Sequence, residues 1–207
     1  DPIRFIVWSD FSTLVLNAAV RLRGIEEEYA DRVSFEWRSF LLRPSPQPGR
    51  SFEKFVEYTK GWQRPNDEED SGTFRSWETE FGPPSHSIPP HLLVKAAARS
   101  GGPGPAAAVG LRLFEAYFAE NLDITDPATM ETIWRECGLD PKGLVHTGDE
   151  DLLQQVLEEH REALKFGVNG VPASMLDGTD VAITGAHPRA LYRRWIDRTI
   201  AAREAGE

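Results

Sequence analysis

Residues 3 to 8, Ile-Arg-Phe-Ile-Val-Trp, are β-branched or aromatic apart from one arginine, and predict a strand mostly covered on both faces. The period then changes. From Leu14 to Tyr29 the apolar residues Leu14, Val15, Ala18, Ala19, Leu22 and Ile25 fall on one face of a helix, with Ser12 or Thr13 as its cap. Val33, Phe35 and Trp37 alternate with Ser34, Glu36 and Arg38, which predicts a second strand with one buried face. Strand, helix, strand in this order implies a parallel pair joined by a right-handed crossover.

Pro44, Pro46, Pro48 and Gly49 end that pattern, and residues 52 to 166 read as helix punctuated by loops. Loops are predicted over Pro65 to Asp70, where the acid run Asp67 to Asp70 is a solvated segment, and over Gly82 to Ser87. Gly101 to Pro105 separates a helix over 91 to 100 from one over 106 to 120, and Asp126-Pro127 reads as a cap followed by proline at the first helical position. The last helix of the block, about Asp149 to Phe166, carries Leu152, Leu153, Val156, Leu157 and Leu164 on one face and ends near Gly167. Ala173 to Leu176, the turn Asp177-Gly178 and Val181 to Thr184 then predict a hairpin, and Leu191, Trp195 and Ile196 a closing helix from Pro188.

Composition narrows the chemistry. A chain of 207 residues fits one domain, or one domain with a large insertion. With 33 acidic residues against 23 Lys and Arg, the net charge of -10 disfavours nucleic acid as a partner. The one cysteine, Cys137, has no second thiol for an internal disulfide or a Cys-rich metal site and fits a reducing cytoplasm. It follows Met130, Ile133 and Trp134 at helical spacing, as a small core residue does. His86, His91 and His146 have no metal-ligand spacing with each other or with Cys137, so no metal cofactor is expected. His160 shares a face with Val156 and Leu157 and reads as a buried structural histidine, and Trp8, Phe11 and Trp37 as core residues or pocket walls. No apolar run approaches membrane-spanning length and the first residues carry no leader pattern, so the expectation is a cytoplasmic protein without a membrane partner.

Four stretches occur in order along nearly the whole chain: Ile6-Val7-Trp8-Ser9-Asp10; Phe114-Glu115-Ala116-Tyr117-Phe118 with Asp123-Ile124-Thr125-Asp126-Pro127; Gly167-Val168-Asn169-Gly170-Val171-Pro172; and Thr184-Gly185-Ala186-His187. On these the sequence resembles the DsbA-like part of the thioredoxin superfamily, in its FrnE-like and 2-hydroxychromene-2-carboxylate isomerase-like branches. The first is similar to their opening strand, the second to a stretch of the FrnE-like helical insert, the third to the Gly-Val-x-Gly-Val-Pro segment that holds a cis-proline, and the fourth to the Ser-Gly-Ala-Gln that opens the last helix. The resemblance implies an α/β, thioredoxin-like fold with a large all-helical insertion: residues 1–43 and 167–207 form the thioredoxin-like domain and 44–166 the inserted helical domain.

One departure governs the function. Three residues after the strand's aspartate FrnE-like proteins carry Cys-Pro-Trp-Cys, whereas counting from Asp10 places Thr13-Leu14-Val15-Leu16 there. Disulfide exchange needs an attacking thiolate and a resolving thiol, and neither is present. In the isomerase-like and kappa-class glutathione transferase relatives a serine replaces the first cysteine and holds a substrate thiolate at the helix end. Thr13 occupies that position, with Ser12 beside it, and both serve equally as N-caps.

The resemblance further implies that Asp10, Phe11, Val171, Pro172, Gly185, Ala186 and His187 frame a cofactor site, with Val171 offering backbone groups to a thiol cofactor or an extended peptide. Glutathione or another low-molecular-weight thiol is the implied cofactor, although Gly185-Ala186-His187-Pro188 lacks the acid that related transferases direct at the glutamyl end of glutathione. Two functions stay open at this point. One is a thiol-dependent isomerase or transferase acting on a small organic molecule; the other is a non-catalytic member of the fold that binds a peptide or metabolite. A homodimer is compatible with both.

Overall fold

The computed structural model describes residues 1–47, 49–67 and 71–206. These divide into two compact units, one of Asp1–Phe40, Glu69–Gly72 and Glu159–Glu207, the other of Leu41–Glu68 and Thr73–Glu158. The division between the units falls within one helix, between Glu158 and Glu159.

The first unit is built on a four-stranded sheet. Strand β1 (Ile3–Ser9) leads into helix α1 (Thr13–Tyr29) and strand β2 (Val33–Ser39). β1 pairs with β2 in parallel, from Ile3 opposite Val33 to Ser9 opposite Ser39. Strand β3 (Ala173–Leu176) runs antiparallel to β1, and β4 (Ala182–Thr184) antiparallel to β3, giving the order β2-β1-β3-β4. Helix α7 (Arg189–Ala205) closes the unit.

Alternation along β1 and β2 explains the core. Ile3, Phe5, Val7, Val33 and Phe35 pack with Leu22, Ile25 and Tyr29 of α1 and Tyr192 and Ile196 of α7. On the opposite face Trp8 packs against Phe166, and Arg38 pairs with Glu36 and Glu162. From Phe5 to Trp8 β1 is buried on both faces, as that apolar run requires, while Arg4 is exposed. Trp37 departs from the expected pattern, being 37% exposed. It lies near the end of β2, an outer strand of the sheet, whereas Val33 and Phe35 of the same alternation are buried.

The second unit contains helices α2 (Phe52–Thr59), α3 (Ile88–Gly101), α4 (Pro103–Phe118), α5 (Pro127–Glu136) and the first part of α6 (Glu150–Lys165), with 3-10 turns over Lys60–Asp67 and Pro141–Gly148. Its core is aromatic: Trp62 lies edge-on to Phe118 at 4.8 Å and to Tyr117 at 5.2 Å. The Asp126 carboxylate caps α5, accepting from the Thr129 amide at 2.8 Å.

Several expected boundaries and faces shift. α3 begins at Ile88 rather than near 91, and α4 at Pro103 rather than 106, because Pro89, Pro90, Pro103 and Pro105 lie in first turns, where no backbone N–H is needed. The loop expected over Gly101 to Pro105 shrinks to Gly102, at a φ of 83°. Part of the loop expected from Pro65 is 3-10 turn, and residues 68–70 of the acid run lie outside the described residues.

On α6 the buried line is Leu152, Val156 and Ala163, while Leu164, one residue further round, is exposed. His160 is half-buried rather than enclosed, its ring edge-on to Phe40 at 4.8 Å. On α7 Leu191 is exposed, and Tyr192 and Ile196, one turn apart, are buried. Among the described residues no helix is long and apolar enough to cross a membrane, and no group of His, Cys, Asp and Glu could hold a metal ion.

Candidate functional site

Strand register brings the expected site residues to one end of the sheet. Trp8 lies opposite Ala173, and Ala173 opposite Thr184. Asp10 just after β1, Pro172 just before β3 and Gly185 just after β4 therefore emerge together. The Gly185 amide donates to the Pro172 carbonyl at 2.8 Å, and the Val171–Pro172 peptide is cis. Val171 is buried, yet among the described residues its backbone N–H and C=O have no hydrogen-bond partner.

A tight turn starts α1 at this end. The buried Asp10 carboxylate accepts from the Phe11 amide at 2.8 Å, and the Asp10 carbonyl from the Ser12 amide at 3.0 Å. Ser12 is the N-cap: its backbone is extended and its hydroxyl oxygen accepts from the Val15 amide at 3.4 Å. Thr13 is the first helical residue and is partly exposed, and its hydroxyl has no partner among the described residues. The Thr13 and Leu14 amides also lack acceptors there, as the first turn of any helix leaves them. Two N–H groups, a hydroxyl and the positive end of a 17-residue helix can together hold an anion such as a thiolate.

The rest of the turn is apolar. Leu14 is 44% exposed, whereas Leu16 is buried. Gly72 lies directly on Leu16: a Cβ at Gly72 would sit 2.3 Å from Leu16 Cδ2. The Gly72 amide donates to the Asn17 side-chain oxygen at 3.2 Å.

Ala186 is tied to α1, its carbonyl accepting from Arg21 Nη1 at 2.8 Å. The His187 ring folds back over Gly185, its Nε2 lying 3.7 Å from the place of a Cβ there, and this nitrogen is buried with no hydrogen-bond partner among the described residues. Asn17 and Arg21 escaped the sequence reading. The signal for them was two polar residues, four apart, on the apolar face of α1. Tyr192 and Ser174, whose hydroxyls lie 3.0 Å apart in the core, had no comparable signal.

Cys137 belongs to the helical unit, at the C-cap of α5 and half-buried rather than in the core. Burial pushes its thiol pKa up, and Glu136 adds to the shift while Arg112 opposes it. Cys137 in the native protein is therefore expected to react with Ellman's reagent at pH 8 about tenfold or more slowly than in guanidinium-unfolded chain. Equal rates would show an accessible, ordinary thiol.

A family model for the DSBA-like thioredoxin domain matches residues 7–196. No curated protein sequence matches the chain. Among solved structures, a "probable DsbA oxidoreductase" from Streptomyces coelicolor is 20% identical, with a TM-score of 0.75 over 96% of this chain and 90% of its own. The cytosolic disulfide reductase DsbM from Pseudomonas aeruginosa, solved with GSH, is 15% identical, with a TM-score of 0.72 over 94% and 100%. A 2-hydroxychromene-2-carboxylate isomerase is 16% identical, with a TM-score of 0.64 over 99% and 98%. At these identities the likeness is one of fold.

Proposed function

The chain belongs to the DsbA-like thioredoxin family, and from that premise we propose that it is a thiol-dependent isomerase or transferase acting on a small organic molecule, with Thr13 holding the thiolate of a bound low-molecular-weight thiol. The observation that carries this reading is the division of labour at the start of α1: Ser12 caps the helix, so the Thr13 hydroxyl is left to donate to a ligand. Neighbouring folds include an isomerase and a reductase solved with GSH, which makes glutathione the first thiol to test.

A bound thiol supplies the nucleophilic sulfur that the first turn of α1 lacks. Thr13 donates its hydroxyl hydrogen to that sulfur, and the Thr13 and Leu14 amides with the helix dipole favour its ionised form. Val171 offers its amide and carbonyl to the backbone of the ligand in the manner of an added strand. Leu14 provides an apolar wall for an organic substrate.

Calorimetric titration of the protein and of Thr13→Val with glutathione and with mycothiol tests the proposal. Binding is expected to weaken about tenfold in the variant, the effect of losing one hydrogen bond to a charged group. If neither thiol binds the unaltered protein, the reading fails. The exposed Leu14 favours a second one, a non-catalytic protein that binds a peptide or metabolite at this end of the sheet. Multiple turnovers on any substrate, abolished in Thr13→Val, would eliminate it.

A further inference from the structure

The loop Gly185-Ala186-His187 connects β4 to α7 at the site end of the sheet. Its conformation depends on Gly185, whose φ of 119° disfavours any side chain. On one side it is tied to the proline segment by the Gly185 amide, which donates to the Pro172 carbonyl at 2.8 Å. On the other side the loop and the start of α7 meet α1 at two points about one turn apart. Arg21, only 8% exposed, donates from Nη1 to the Ala186 carbonyl at 2.8 Å. At Gly24 the Arg189 guanidinium lies so close that a Cβ would stand 2.7 Å from its Nη1. Glycine inside a helix costs about 1 kcal/mol relative to alanine, and here it makes room for the first residue of α7.

A guanidinium buried at this depth is a costly way to join a helix to a loop if the joint serves stability alone. Its advantage is a fixed, charge-assisted direction: the planar donor group sets where the Ala186 carbonyl points. Arg21 also acts electrostatically on the phenol of Tyr192, whose hydroxyl meets that of Ser174 at 3.0 Å, two residues beyond Pro172. Arg21 thus holds the loop directly, by a hydrogen bond, and acts on α7 only through its charge.

We infer that Arg21 is a positioning residue, which through the Ala186 carbonyl holds the Gly185–His187 loop in the conformation that frames the ligand site beside Pro172. As a statement about ligand binding this rests on the thiol-site reading above; as a statement about the loop it stands alone.

Amide hydrogen exchange of the ligand-free protein tests it without any ligand. In Arg21→Met the Gly185 and His187 amides should exchange about tenfold or more faster while those of β1 and β2 keep their rates, and Arg21→Lys, which retains a charged donor, should restore most of the protection. Unchanged exchange at Gly185 and His187 in Arg21→Met, or acceleration spread equally over β1 and β2, would overturn the inference. Should Arg21→Met fail to fold, Arg21→Gln replaces it under the same criteria.

Titration with glutathione forms a second arm, with affinity expected to fall about fivefold in Arg21→Met and to recover in Arg21→Lys. If the unaltered protein binds no glutathione, the thiol reading falls and the exchange data still decide the role of Arg21. If it binds equally well in Arg21→Met despite a loosened loop, the loop does not frame the site.

Discussion

Phe5→Ala should lower the unfolding free energy by about 3–5 kcal/mol, the usual cost of emptying a fully buried aromatic site. Phe5 is 0% exposed on the strand that pairs on both sides. Its ring stacks on Phe35 at 5.4 Å and meets Trp195 edge-on at 5.0 Å, so it bonds both strands of the parallel pair to α7. Total stabilities of natural domains lie around 5–15 kcal/mol, so this one change removes a large share. Urea unfolding with an unchanged slope is the measurement; a loss of less than about 1 kcal/mol would show that neighbouring side chains collapse into the space.

Gly72→Ala should cost about 1–3 kcal/mol, although Gly72 lies outside any helix or strand. Its added Cβ would stand 2.3 Å from Cδ2 and 2.4 Å from Cγ of Leu16, too close to be relieved by turning a methyl group alone. Either Leu16 or the segment must move, and a moving segment stretches the bond from the Gly72 amide to Asn17. The same variant in a Leu16→Ala background should then cost at least about 1 kcal/mol less, because the two positions compete for one space. Strict additivity of the two changes in urea unfolding would refute the contact.

Gly72 illustrates what the sequence could not disclose. The pattern of β1, α1 and β2 was readable because each periodicity reports burial directly, and the hairpin and last helix were readable from Asp177-Gly178 and Pro188. The start of α1 was legible as a cap, but which of Ser12 and Thr13 caps depends on backbone angles that both residue types accept. Arg21 and Asn17 stand out only as polar residues on the apolar face of α1, and what they bind is unreadable until their partners, Ala186 and Gly72, arrive from distant parts of the chain. Proline-rich helix starts were misjudged for a different reason, since proline ends a helix or begins one according to its neighbours. Trp37 is exposed near the end of β2 although Val33 and Phe35 of the same alternation are buried, so alternation alone does not specify how far along a strand the cover extends.

The pairing of β1 with β3 also has a consequence for how the chain comes off the ribosome. Residues 40–172 separate β2 from the strand that completes the other side of β1. Until β3 emerges, the edge of β1 that it will cover stays open, while the helical segments, whose contacts are local, are free to form as they emerge. Only when β3 and α7 appear does that edge acquire its neighbour. The nascent protein is therefore most prone to wrong strand pairing between the emergence of β2 and that of β3, and a stall in translation in that interval should produce aggregating chains where a stall before β1 is complete should not.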